Sequence, residues 1–193
     1  MGRKKTVSDS ALLDVARRVF IESGIGASTK EIARQAGVSE GVLFQRFATK
    51  NDLFFAAMIP PAADLEQLLR SPRKEGPAQL ERLTLRMVEY WREALPVLLP
   101  LVQHPAFRFE DFARRHPDTP LVQLRNRLTS FFAEERRAGR IGDADPGAAA
   151  LLVWSIAQTV VFFEIMGAHD GRMPPAVIRA AAKAVWDGLA PRH

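Results

Sequence analysis

Bond-making chemistry has little to work with in this 193-residue chain. It has no cysteine, which excludes disulfides, thiolate metal sites and cysteine nucleophiles. His104, His116, His169 and His193 fall in or near predicted loops or at the terminus, and no two share the i, i+4 spacing of a helical metal pair. Glu110 with Asp111, and Glu134 with Glu135, are adjacent acids. Neighbours on a helix point apart, so a solvated surface suits them better than an acid–base dyad. Neither a phosphate-cradling glycine loop nor a Gly-x-Ser-x-Gly elbow occurs. The sequence argues against an enzyme and implies no cofactor and no metal.

Binding chemistry remains, and the charge indicates where. The chain is 47% apolar, enough for a real core, and carries a net charge of +5. The first 50 residues hold nine Lys/Arg against five Asp/Glu, and the other 143 hold eighteen against seventeen. Cations gathered at one end suit phosphates, although a basic tail kept for solubility looks the same. Arg3, Lys4 and Lys5 form a basic arm that either follows a nucleic-acid backbone or minor groove, or is a terminus that touches nothing. No apolar run follows it, so no signal peptide is expected and a cytoplasmic protein is the default.

The elements that would position such contacts centre on Ser28 to Phe47, STKEIARQAGVSEGVLFQRF. Ser28 with Glu31 three residues on predicts a capping box at a helix start. Ile32, Ala33 and Ala36 supply an apolar stripe, and Gly37 falls where that helix must stop in a left-handed backbone. Val38 plugs the corner, Ser39 caps a second helix, and Leu43 and Phe47 give it a buried side. Ala33 is small enough for two steeply crossing helices to touch. This is a helix-turn-helix layout, whose second helix lies in the DNA major groove. A preceding helix, capped by Ser8 and running to about Ser23, would brace it with Leu12, Leu13, Ala16, Val19 and Phe20. Thr49 and Asp52 predict another capping box, opening a fourth helix with Leu53, Phe54 and Met58. Lys50 falls in its first turn, where free N–H groups already favour a phosphate.

On these residues the chain resembles the DNA-binding segment of the tetracycline-repressor (TetR) family of bacterial transcriptional regulators. The resemblance rests on Ser28-x-x-Glu31-Ile32-Ala33, Ala36-Gly37-Val38-Ser39, Gly41-x-Leu43-Phe44, Phe47 and Lys50-x-x-Leu53, with Gly24 ahead. It covers about the first 55 residues, and the rest matches only as a helical bundle of suitable length. It implies that Ser28, Thr29 and Lys50 bind phosphate, while Ser39, Glu40, Gly41, Val42, Phe44 and Gln45 face the groove. Gly41 would allow close approach, Val42 could touch a thymine methyl, and Gln45 could read adenine. Phe44 stands where the family often has a phosphate-holding tyrosine, and Arg46 where a histidine is frequent. Glu40 either accepts from cytosine N4 or sits at the helix start as a dipole-favoured carboxylate, the reading preferred here.

Beyond Leu53 the pattern stays helical. The fourth helix kinks or restarts at Pro60-Pro61, and residues 71–77 read as an exposed loop. A fifth helix is predicted from about Ala78 to Leu95, with Pro96 and Pro100 bracketing a short apolar piece. Residues 104–120 are either an irregular lid or a short helix between loops. Phe107, Phe109 and Phe112 there either edge a ligand cavity or patch the core. Thr119-Pro120 and Asp145-Pro146 are start signals for two further helices. Residues 148–166 of the second are apolar nearly all round, which suits a fully buried helix better than a membrane span interrupted by Ser155, Gln158, Thr159 and Glu164. Pro174-Pro175 to Leu189 makes the last helix.

The expected fold is all-α, with about nine helices: a three-helix DNA-binding head over residues 1–50 and a ligand-binding and dimerisation bundle over 51–193. Trp154, Val161, Ile165, Ile178, Ala181, Ala182, Val185 and Leu189 are the expected faces of a four-helix homodimer interface. Trp91, Phe107, Phe112, Trp154, Gln158 and Phe162 either hold a largely apolar small molecule or pack as core. The expected function is a ligand-responsive transcriptional regulator, most simply a repressor, that binds a near-palindromic operator as a dimer. The competing class is a helical small-molecule-binding or interaction protein without specific DNA binding.

Overall fold

A computed structural model of the chain describes residues 7–60, 76–115, 120–168 and 170–191. These residues contain nine helices and no strand: α1 (Asp9–Ser23), α2 (Thr29–Ala36), α3 (Glu40–Arg46), α4 (Lys50–Ala57), α5 (Gly76–Gln103), α6 (Phe109–Arg115), α7 (Pro120–Arg137), α8 (Pro146–Ile165) and α9 (Pro175–Leu189). Helix starts follow the local chemistry. Ser8 accepts from the Ala11 N–H, Thr49 and Asp52 complete a reciprocal capping box, and Asp145 accepts from the Ala148 N–H at 2.7 Å.

The chain folds as two compact units. One comprises Met1–Pro60 with Pro96–Phe112, and the other Pro61–Leu95 with Ala113–His193. This differs from a linear division at residue 50. Helix α4 buries Leu53, Phe54 and Ala57 in the first core, together with Leu12, Ala16, Phe20, Ile32 and Leu43. Val97, Leu101 and Phe112 complete that core from much later in the sequence. Phe20 meets Phe54 edge-on with centroids 5.0 Å apart, and His104 lies against the rings of Phe54 and Phe55. Helix α4 ends at Ala57, where the Arg17 guanidinium donates to the last carbonyl at 2.8 Å. Pro61, and with it the question of a kink at Pro60-Pro61, lies outside the described residues.

Helix α5 corrects two sequence expectations. It begins at Gly76, inside the stretch read as a loop, and it continues through Pro96 and Pro100 to Gln103. Each proline lacks the N–H that would reach back four residues, so the carbonyls of Arg92 and Pro96 lose their intrahelical donors while the helix persists. Packing outweighs that loss, since Leu95, Val97 and Leu101 are all buried. Gly76 sits beneath the Trp186 ring, and a Cβ there would lie 2.5 Å from it. Residues 71–75 lie outside the described residues. The stretch after α5 resolves as a turn followed by the short helix α6.

In the second unit α7 packs on α8 and α8 on α9. Its core gathers Leu80, Leu83, Met87, Val88 and Trp91 from α5, Leu124, Leu128 and Phe132 from α7, and Val153 and Ala157 from α8. Within a single chain helix α8 is buried on one side only; the expected burial all round relied on a second copy to cover the rest. Ala149, Ala150, Val153, Ala157 and Val161 turn inward, while Leu151, Leu152, Phe162, Phe163, Ile165 and Met166 are exposed.

An ion pair links α5 to α8. Arg92 donates from Nε and Nη2 to the two carboxylate oxygens of Glu164 at 2.9 and 2.8 Å, and the Met173 N–H adds a third bond at 2.8 Å. The Arg92 hydrogen bonds, aided by Met173, hold the Glu164 carboxyl below its ordinary value of 4.5. A depressed folded-state pKa supplies stability that is complete above the unfolded value and lost as pH falls through the folded one. Glu164→Gln is therefore expected to cost roughly 2–3 kcal/mol at neutral pH. The gap to the parent should close progressively below the ordinary carboxylate range, as urea melts across a pH series would measure.

Candidate nucleic-acid interface

The region from Ser28 to Lys50 is assembled by its turns. Gly37 has φ 70° and ψ 28°, the left-handed backbone that glycine adopts at least cost. Its N–H donates to Arg34, and the Val38 N–H reaches back to the Ala33 carbonyl at 3.0 Å, closing the C-terminus of α2. Val38 then packs against the first unit's core, as does Phe47. Ser39 accepts from the Val42 N–H at 3.2 Å and starts α3 one residue later. Leu43 is fully buried, so α3 turns its opposite side outward. Gly41, Phe44 and Gln45 are exposed on that side, together with Ser39, and Val42 and Glu40 are half-buried at its margins.

Two side chains depart from the expected capping box. Ser28 is exposed and makes no side-chain cap. Glu31 cannot serve the box because Arg34 and Gln35 engage it, and their hydrogen bonds hold its carboxyl down to about 2. The Thr29 hydroxyl donates to Glu40 Oε1 at 2.6 Å, joining the starts of α2 and α3. Nothing in the sequence spacing announced that contact. Arg46, standing where a histidine is frequent, donates to the Val7 carbonyl at 2.6 Å and to Asp9 at 3.0 Å, so it fastens α3 to the start of α1 and the residues just ahead of it. Lys50 is half-buried in the first turn of α4 as expected. Arg3, Lys4 and Lys5 lie outside the described residues.

Residues 12–57 match the profile of bacterial regulatory proteins, tetR family. The likeness to the tetR family is one of this segment, which is well under half of the chain. The same end is 35% identical over 69 residues to the HTH-type transcriptional repressor AcnR of Corynebacterium glutamicum, a match spanning 35% of this chain and only 37% of that protein's length. Likeness of fold extends over nearly the whole chain. A protein of unknown function from Rhodococcus sp. RHA1 superposes with a TM-score of 0.74 at 23% identity, covering 98% of this chain and all (100%) of that one. The TetR family transcriptional regulator PfmR from Thermus thermophilus gives 0.65 at 22% identity, covering 92% and 98%.

The candidate residues outside this tetR-like segment fall as follows. Phe107 and Phe112, with ring centroids 5.8 Å apart, pack with the head's core. Trp91, Trp154 and Gln158 gather in the second unit. Trp91 meets Trp154 edge-on at 5.0 Å, and the Trp154 indole N–H donates to Gln158 at 3.2 Å. Phe162 is exposed, so the six candidate pocket residues do not form one cluster within either unit. Of the candidate interface residues, Val161, Ile178, Ala182 and Leu189 are buried in their own chain's core, and Trp154, Ala181 and Val185 are half-buried. Ile165 alone of that set is exposed. Helical period explains the difference: a stripe read as apolar has two sides, and the alanine-rich side of α8 faces inward.

Proposed function

We propose that this chain is a ligand-responsive transcriptional repressor that binds a near-palindromic DNA operator as a homodimer in the cytoplasm. The observation that carries the reading is the exposed rim of α3, where Ser39, Gly41, Phe44 and Gln45 stand clear while Leu43 anchors the helix beneath. A short helix held from behind, with glycine at its point of nearest approach, suits entry into a major groove. Ser28 and Lys50, at the starts of α2 and α4, serve phosphates, joined by the basic arm of Arg3, Lys4 and Lys5. Two heads then meet half-sites about 34–36 Å apart.

The dimer forms through the exposed apolar face of α8 with Val177 of α9. By length and composition α8 could also cross a membrane, but its alanine side is committed to the second unit's core. The effector is a small, largely apolar molecule received in the second unit around Trp91, Trp154 and Gln158. Two buried donors there, Tyr90 Oη and Trp91 Nε1, have no partner among the described residues, and burial raises the Tyr90 phenol further above its ordinary value. An effector carrying a hydrogen-bond acceptor would answer one or both. It releases DNA by binding more tightly to a conformer whose heads no longer fit the operator.

Selection from a random duplex pool, followed by fluorescence anisotropy of the winner across a salt series, tests the assignment. A near-palindrome with half-sites one helical turn apart, and an affinity falling steeply with salt, is expected. Equal, salt-insensitive affinity for all duplexes would instead favour a helical interaction or small-molecule-binding protein.

A further inference from the structure

The bond from Thr29 to Glu40 changes what each residue can offer DNA. A threonine hydroxyl has one proton, and here it is directed at Glu40 Oε1 at 2.6 Å. Thr29 can therefore not donate that proton to a phosphate while the pair is intact. Ser28 can, because its hydroxyl makes no cap bond and is exposed. Glu40 gains by the same contact. It precedes Gly41 by one residue and Phe44 by four, which puts it at the margin of the exposed rim of α3. Its carboxylate is pinned through one oxygen, and among the described residues no other donor is recorded on the second.

An ionised carboxylate only accepts hydrogen bonds. In the major groove the base edges that donate are the amino groups of cytosine and adenine, whereas guanine and thymine present acceptors at the corresponding positions. Adenine places its N7 acceptor beside its amino group, and a second carboxylate lone pair would oppose it. Cytosine has no such neighbour. Resting on the operator-binding reading above, we propose that Glu40, positioned by the Thr29 hydroxyl, selects cytosine at one place in each operator half-site. Ser28 supplies the phosphate contact that a free Thr29 hydroxyl would otherwise provide.

Binding-site selection from a random duplex pool, run in parallel with the full-length parent, Glu40→Ala, Thr29→Val, Thr29→Ser and Ser28→Ala, tests this. The parent is expected to enrich cytosine at one symmetric place per half-site. Glu40→Ala should lose that preference, by about tenfold in relative affinity, and leave the other places unchanged. Thr29→Val should blur the same place and no other, while Thr29→Ser, which keeps the hydroxyl, should preserve it. Ser28→Ala should weaken all sequences alike. If Glu40→Ala leaves the enriched sequence unchanged, or Thr29→Val weakens every sequence uniformly, Glu40 is no reader and the Thr29 hydroxyl serves a phosphate. If the parent enriches nothing, the operator-binding reading itself fails and this inference with it.

Discussion

Gly41→Leu is expected to abolish specific operator binding while leaving the protein more stable. The two effects have opposite signs for separable reasons. A Cβ at Gly41 would meet nothing nearer than the Ser39 hydroxyl at 3.9 Å, so the free protein accommodates a side chain without rearrangement. Glycine within a helix costs up to about 1 kcal/mol relative to a good helix former, so leucine should raise the melting temperature by a few degrees. On DNA the same side chain occupies the space that close approach of α3 requires. A loss on the order of 100-fold in operator affinity is expected, equivalent to about 3 kcal/mol. Anisotropy titration and a thermal melt on one preparation read both effects. Unchanged affinity in a stabilised variant would remove α3 from the groove.

The second large effect concerns assembly. Leu151, Leu152 and Met166 are 62%, 51% and 62% exposed, more apolar area than one stripe of a lone chain ordinarily leaves in water. Leu152→Asp is expected to yield a folded monomer, seen as a halved mass in light scattering with an unaltered helical circular-dichroism spectrum. Operator affinity should then fall by roughly 10²–10⁴, because the second head no longer binds as part of the same molecule. Ile178→Asp gives the necessary contrast. That side chain is 2% exposed, so the buried charge should unfold the second unit instead of parting two intact copies. A Leu152→Asp variant that stays dimeric would place the contact elsewhere, and a parent already monomeric at micromolar concentration would remove the homodimer from the reading.

These two expectations mark where the sequence was legible and where it was not. The turn at Gly37 and the cap at Ser39 could be read directly, because a left-handed glycine and a hydroxyl cap are local features with local signatures, although the box expected of Ser28 and Glu31 did not form. Most of the described helices and their starts follow from the same kind of signal, with Asp145 and Thr49 as examples. The side of α8 that faces water could not be read. That helix is apolar on every side, so periodicity carries no direction, and the choice of which side turns inward belongs to α7 and α9. Contacts between side chains distant in sequence were equally hidden. Arg92 and Glu164 are 72 positions apart, and nothing near either one names its partner. Pro96 and Pro100 misled for a related reason, since a local penalty was outweighed by burial on either side of them.

The head's discontinuous core has a consequence for how the protein is made. Val97, Leu101 and Phe112 fill space among residues from α1 and α4, so the groups that close this core leave the ribosome roughly forty to fifty residues after Pro60. Until then the nascent reader exposes an apolar seam, and a fragment ending at residue 60 would keep that seam permanently. Translation past Phe112 is thus the step that finishes the head, and a gene truncated between the two points would encode a sticky, half-closed remnant instead of a minimal DNA-binding module.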